Sequence, residues 1–93
     1  MGRCKKERCC RGLGGEKLFK PRGIPGKDLE LNRIEIDEFE AMRLCDLEEK
    51  NQIEAAEIMG VSRGTVQRLL IRGRRKIMEA LLEDKGVLVE DKK

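Results

Sequence analysis

Several cationic side chains and the amide of Gln67 lie between residues 61 and 82, and their chemistry suits recognition of nucleic acid. This segment holds six Lys and Arg against one Glu. Arginine can donate two hydrogen bonds to a guanine edge, and glutamine can pair with adenine in a similar way. We expect Gln67 and Arg68 to read bases or to contact phosphates, an alternative that the sequence leaves open. The predicted DNA-binding residues are Ser62, Arg63, Gly64, Thr65, Gln67, Arg68, Arg72, Arg74 and Arg75.

Thiols form a second group that could do chemistry. Cys4, Cys9 and Cys10 lie among basic residues, which would lower the pKa of a thiol and favour the thiolate. Zinc sites usually use four ligands at paired spacings, and the fourth thiol, Cys45, lies on a predicted core face as a small apolar residue. We therefore expect no bound cofactor, with a zinc site or redox-responsive switch at the three N-terminal cysteines as the open alternative.

The remaining composition excludes several classes of protein. There is no His, so Ser-His and Cys-His nucleophile pairs and His metal ligands are absent. A chain of 93 residues is short for a walled substrate pocket, so we expect a binding module and not an enzyme. No apolar run approaches membrane-spanning length and no secretory signal is evident, which predicts a cytoplasmic protein that does not bind membranes.

The net charge of +3 conceals a strong partition along the chain. Residues 1–33 carry ten Lys and Arg against four Asp and Glu, whereas residues 34–60 carry two against nine. The sign then reverses again at residue 61. Basic segments attract phosphate, so we expect the acidic segment to face away from DNA or to meet another protein.

Three helices are expected to position the cationic residues. Asp37 followed by Glu40 has the capping-box spacing and predicts a helix that runs to about Glu48 and buries Phe39, Met42 and one or two of Leu44, Cys45 and Leu47. Asn51 followed by Glu54 predicts a second, short helix that ends near Met59. Ser62 is the predicted cap of a third helix over residues 63–83.

The second and third helices match a twenty-residue helix-turn-helix pattern from Gln52 to Ile71. Ala56 occupies the small position where the helices cross, and Gly60 occupies the turn position that needs a positive φ. The expected inter-helix core is Ala55, Met59, Val61, Val66 and Leu69. At 100° per residue the third helix collects one buried stripe, on which Gly73 would let a neighbouring helix come close. The stripe is Val66, Leu69, Leu70, Gly73, Ile77 and Ala80.

The two ends of the chain differ from this helical centre. Residues 1–33 are rich in Cys, Gly, Pro and basic residues, and they predict an extended arm without regular structure, held by Leu18, Phe19 and Ile24. Residues 86–93 form a short β-prone tail that could pair with a strand at 33–36, within the chain or across a dimer. The predicted fold is mainly α: a three-helix domain at 34–85 between arm and tail.

Three separated motifs resemble known sequences. The run GVSRGTVQRLLIRGRRKIMEAL resembles region four of bacterial sigma factors, the helix-turn-helix that reads the −35 promoter element. Together with FKPRGIP (19–25), IDEFEAMRLCD (36–46) and AAEIMGVSRGT (55–65), it resembles a small uncharacterised prokaryotic family of predicted DNA-binding proteins. The resemblance implies a sigma region-four-like domain without enzymatic activity. Relatives usually begin with an Arg-Pro arm, but here Cys4 follows Arg3. Sigma factors use this domain together with others that bind core polymerase, and we expect this chain to lack them and not to be a working sigma factor by itself.

These patterns predict sequence-specific binding of double-stranded DNA by a transcription regulator, with the helix 63–83 in the major groove. Helix-turn-helix proteins commonly bind paired half-sites, so we expect a homodimer. One alternative is a protein-interaction adaptor that contacts RNA polymerase through the acidic helix at 37–49. The other is the metal- or redox-responsive switch at the N-terminal cysteines.

Overall fold

The computed structural model describes residues 17–25 and 28–90. The described chain is mainly helical and carries a small three-stranded sheet. The strands are β1 (Lys17–Phe19), β2 (Leu31–Ile34) and β3 (Gly86–Val89), and the helices are α1 (Ile36–Met42), α2 (Gln52–Met59) and α3 (Arg63–Glu83). A π-helical turn, Arg43–Leu47, continues α1.

The β-prone tail forms the central strand of the sheet. β3 pairs with β1 antiparallel and with β2 parallel. Pairing therefore occurs within the chain, and the partner strand begins two residues earlier than 33–36. Asn32 secures β2 to α3, because its amide donates to the Lys76 carbonyl oxygen at 2.9 Å and to Glu79 Oε1 at 3.1 Å.

Part of the predicted irregular arm is regular. The expectation of no strand before residue 33 is wrong for Lys17–Phe19, because β3 offers this short segment a hydrogen-bonding edge. Leu18 and Phe19 were expected to hold the arm down, yet their side chains are exposed and the backbone pairing holds this segment. Ile24 is half-buried.

The N-cap of the first helix lies two residues before the predicted one. Glu35 is the N-cap, and its amide donates to Glu38 Oε1 at 3.1 Å. The predicted Asp37–Glu40 box is therefore wrong, because Glu38 is fixed in position by partners on α3. The helix ends through the π-helical turn, where the Glu48 amide bonds to the Arg43 carbonyl oxygen, and Glu49 follows with a left-handed φ of 63°. Met42 and Leu44 are buried and Phe39 and Cys45 are half-buried, but Leu47 faces solvent.

The core lies between α3, the other helices and the sheet. The predicted stripe on α3 is confirmed: Val66, Leu69, Leu70, Gly73 and Ala80 are buried, and Ile77 packs against them. A Cβ on Gly73 would lie 2.7 Å from Met42 Cε and 3.0 Å from its Sδ, so the glycine lets α1 approach α3 closely. The predicted core position Val61 is instead 38% exposed, because it lies in the turn, and Met59 is half-buried.

Candidate nucleic-acid interface

A three-residue turn joins α2 to α3 and sets the direction in which α3 leaves. Asn51 caps α2, with its Oδ1 accepting from the Glu54 amide at 2.8 Å and its own amide donating to Glu54 Oε1 at 2.9 Å. Gly60 ends α2 at a φ of 74°, and its amide donates to the Ala56 carbonyl oxygen. A left-handed residue at this position favours glycine, since a Cβ would make the conformation costly.

The first turn of α3 is fixed by Ser62. Its Oγ accepts from the Thr65 amide at 3.1 Å and lies 2.9 Å from Thr65 Oγ1. Ala55 and Val66 are fully buried beneath this turn, which anchors α2 to α3. The start of α3 is therefore held by a cap, by a left-handed glycine and by apolar packing, and its outer side chains project from a rigid support.

The predicted contact residues occupy the surface of α3. Gly64 and Thr65 are half-buried, and the others are exposed. The exposed members are Ser62, Arg63, Gln67, Arg68, Arg72, Arg74 and Arg75. The structure thus brings all nine residues onto the first thirteen positions of one helix and its cap.

The cations differ in what they contact. Arg63 Nη1 donates to Gln52 Oε1 at 3.2 Å, and Arg68 Nη2 donates to Thr65 Oγ1 at 3.3 Å. Both contacts are long and exposed, and a phosphate or a base edge could replace them. Within residues 17–25 and 28–90, Gln67 and Arg75 make no side-chain hydrogen bond.

Two of the predicted DNA-binding residues are ion-paired to the acidic segment. Arg74 donates twice to Asp46, at 2.7 and 3.2 Å, in an exposed bidentate pair that raises the pKa of the guanidinium. Arg72 Nε lies 3.3 Å from Glu38 Oε2. The structure therefore separates arginines that connect helices from those that remain available at the surface, a distinction that sequence reasoning missed.

Glu38 is the charged residue that sequence reasoning overlooked. Its side chain is only 1% exposed, and Lys76 Nζ donates to its Oε1 at 2.8 Å. Burial by itself would raise the pKa of Glu38, but the Lys76 bond, the Glu35 amide, the charge of Lys76 and the Arg72 bond together hold it below its ordinary value. The one local signal was the three-residue spacing from Glu35, which is the capping-box spacing.

The acidic segment is less available as a docking surface than its composition indicates. Glu38 and Glu40 are buried, and Arg43 pairs with Glu40 at 2.6 Å and also with Glu48. A buried carboxylate that pairs with a cation of the same chain is already engaged in the fold and is less accessible to a partner protein. Asp46 is half-exposed in its bidentate pair with Arg74.

The cysteine predictions lie mostly outside the described residues, since Cys4, Cys9 and Cys10 fall in residues 1–16. Cys45 is a free, half-buried thiol, and burial and the neighbouring Asp46 raise its pKa while Arg74 opposes them. Within residues 17–25 and 28–90, no three candidate ligands come together in a way that could hold a metal ion.

A helix that crosses a membrane must be long and apolar. None of the helices in the described part of the chain combines the length and apolar character that crossing a bilayer requires.

Comparison with known proteins gives a family but no activity. The model of the family described as "Protein of unknown function DUF134" matches residues 1–92. A "UPF0251 protein" of Shewanella pealeana is 39% identical over 87 residues, covering 94% of this chain and 88% of the relative. One from Halothermothrix orenii is 44% identical over 90 residues, with coverages of 97% and 67%. One from Chloroherpeton thalassium is 46% identical over 74 residues, and the match spans only 49% of that protein. No solved structure matches the chain.

Proposed function

Since the chain belongs to the family described as protein of unknown function DUF134, its own residues must indicate its role, and we propose that it binds double-stranded DNA. In this proposal α2, the turn at residues 60–62 and α3 act as a helix-turn-helix, similar to region four of sigma factors. The first turns of α3 enter the major groove, and the protein regulates transcription.

The observation that carries the proposal is the outer surface of α3 beside the turn. Gln67 and Arg68 lie exposed within the first two turns of a helix whose start is rigidly held. Half-buried Gly64 adds little bulk there. A Cβ added at this position would have only Arg68 Nη1 and Ser62 Oγ within 4 Å. A small residue near the tip of a recognition helix lets the backbone approach the groove, and the two longer side chains can then reach base edges.

The charge distribution supports the same orientation. Arg63, Arg68 and Arg75 are exposed along α3, whereas two acids of the preceding segment are buried. The cationic side therefore presents a surface to phosphate that the acidic segment does not cancel completely. Arg72 and Arg74 fit phosphate contact at the margin, where each would exchange a carboxylate for a phosphate.

The test uses the full chain and random-sequence duplex DNA, first to select bound sequences and then to measure affinity by fluorescence anisotropy. We expect a duplex affinity that falls steeply with salt, because several phosphates are neutralised. Gln67→Ala combined with Arg68→Ala should weaken binding to the selected sequence by about 1–3 kcal/mol, or roughly 5- to 150-fold, and should relax its sequence preference.

The matched control is Arg33→Ala. Arg33 is as exposed as the α3 arginines, with 64% of its side chain accessible, but it lies on β2 and pairs with Glu90. The control should bind like the unmodified chain. Absence of duplex binding at low salt, or equal binding by the double variant, would contradict the proposal.

A further inference from the structure

Beyond Arg68, the outer surface of α3 carries exposed apolar side chains. Ile71 is 57% exposed, Met78 63% and Leu82 78%. At 100° per residue these three lie within about 40° of one another, on the side of α3 opposite the core. We call this set the apolar stripe. Its spacing of seven and then four residues is typical of a seam between two helices.

The charges beside the apolar stripe are ordered along the helix axis. Arg72 and Arg75 lie on one flank near its start, and Glu79 and Glu83 lie on the same flank near its end. A parallel two-fold pair would bring this flank against the opposite flank of the second copy, where α3 carries Arg74 and Leu81 but no acid. In the antiparallel orientation, the basic end of one helix meets the acidic end of the other.

We propose that a second copy of this chain covers the apolar stripe, with the two α3 helices antiparallel about a two-fold axis. Placing Ile71 of each copy opposite Leu82 of the other puts the axis between Arg75 and Met78. Arg75 then lies level with Met78 of the second copy and beside its Glu79, and the contact is the same on both sides, as a two-fold interface requires.

Residues 1–16 of the same chain are a poorer occupant for the apolar stripe. Their large apolar side chains are Met1 and Leu13 alone, among five cations. A helix of an unrelated protein has no reason to match the reversal of charge on the flank, whereas a second copy matches it by symmetry.

The axis position has a consequence for DNA, and this part of the inference rests on the proposed function. Thr65, in the first turn of α3, lies about 11.5 residues from the axis. At 1.5 Å per residue the two copies of Thr65 would be about 35 Å apart. Successive major-groove half-sites on one side of B-DNA are about 34–36 Å apart. The pairing therefore presents two recognition elements at a spacing of one turn.

The first experiment measures the mass of the full chain in solution, without DNA, by sedimentation equilibrium. We expect a dimer, and we expect Met78→Lys with Leu82→Lys to be monomeric, since two ammonium groups cannot be buried in the seam. Both side chains are exposed in the single chain, so the fold should persist. The control, Leu47→Lys with Ile53→Lys, changes two equally exposed apolar residues away from the stripe and should remain dimeric. A monomeric unmodified chain, or a dimer that survives the stripe variant, overturns the inference.

Disulfide trapping tests the orientation in a background with all four native cysteines changed to Ser. A mixture of Ile71→Cys and Leu82→Cys chains should form the mixed disulfide, while each variant alone should not. Trapping of Leu82→Cys with itself would show a parallel pair and would overturn the proposal.

Duplex affinity separates this inference from the proposed function. The monomeric variant should lose at least tenfold in affinity for a duplex with two half-sites one turn apart, and little for a single half-site. A dimer that binds no duplex would refute the proposed function and leave the pairing intact. Tight duplex binding by a monomeric unmodified chain would refute the pairing and leave the proposed function intact.

Discussion

Glu38→Gln isolates the contribution of the buried carboxylate that joins α1 to α3. The substitution keeps the size of the side chain and one oxygen that can accept from Lys76 and from the Glu35 amide. It removes the negative charge, and it can place an NH₂ group against Arg72 Nε, 3.3 Å from the present Oε2. The change therefore tests the ion pairs with little effect on packing.

The expected loss follows from the exposure of the two cations. A hydrogen bond to a charged group contributes about 1.5–3 kcal/mol, and the 2.8 Å bond from Lys76, whose side chain is 31% exposed, belongs in this range. The Arg72 side chain is 55% exposed, so solvent screening reduces its share to about 0–1 kcal/mol. The substitution also removes the cost of burying a charge, and this gain offsets part of the lost stability. We expect a net loss of about 2 kcal/mol, which lowers Tm by roughly 10 °C for a chain of this size.

The pH dependence gives the loss a signature that a packing defect lacks. The folded pKa of Glu38 lies below its unfolded value of about 4.3, so its contribution is complete above that pH. The contribution disappears as the pH falls through the folded pKa. Urea unfolding should therefore show a gap between the unmodified chain and Glu38→Gln that is full at pH 7 and shrinks below about pH 4.

Glu57→Gln is the matched control, since Glu57 is an exposed acid on α2, and its change should shift stability by less than about 0.5 kcal/mol. The reasoning is refuted if Glu38→Gln is as stable as the unmodified chain at pH 7. A stability gap of constant size down to pH 3 refutes it as well, because the ionised form of Glu38 would then not be the source of the stabilisation.

Two further changes test the turn and the Asp46 pair. Gly60→Ala should cost about 1–2 kcal/mol in urea unfolding, because φ is 74° there although a Cβ would meet no atom within 4 Å. Gly64→Ala, in a helical conformation, should be neutral or stabilising by up to about 1 kcal/mol, and equal losses at the two glycines would contradict this explanation. Asp46→Ala should cost less than about 1 kcal/mol because the pair is exposed, yet it should raise duplex affinity by releasing Arg74. Unchanged affinity would exclude Arg74 from phosphate contact.

The sequence by itself determined the part of the fold that depends on near neighbours. The Asn51 box, the left-handed Gly60, the Ser62 cap and the bounds of α3 all occur where the residues predict them. Each depends on contacts within four residues, so the local pattern contains the required information. The buried stripe of α3 was readable for the same reason, since helical periodicity alone places those residues on one side.

Only the tertiary structure decided how distant segments use their charges and edges. Glu38 contacts residues 34 and 38 positions away, and Asp46 contacts Arg74 at a separation of 28. From the sequence alone, a carboxylate in an acidic segment is expected to be solvated, because its burial and its partners are not known. The same holds for β1, whose three residues have no strand-forming pattern and become regular because β3 lies beside them. Backbone hydrogen bonding and ion pairing across such distances depend on how the chain packs, and that packing also decided which arginines of α3 remain at the surface.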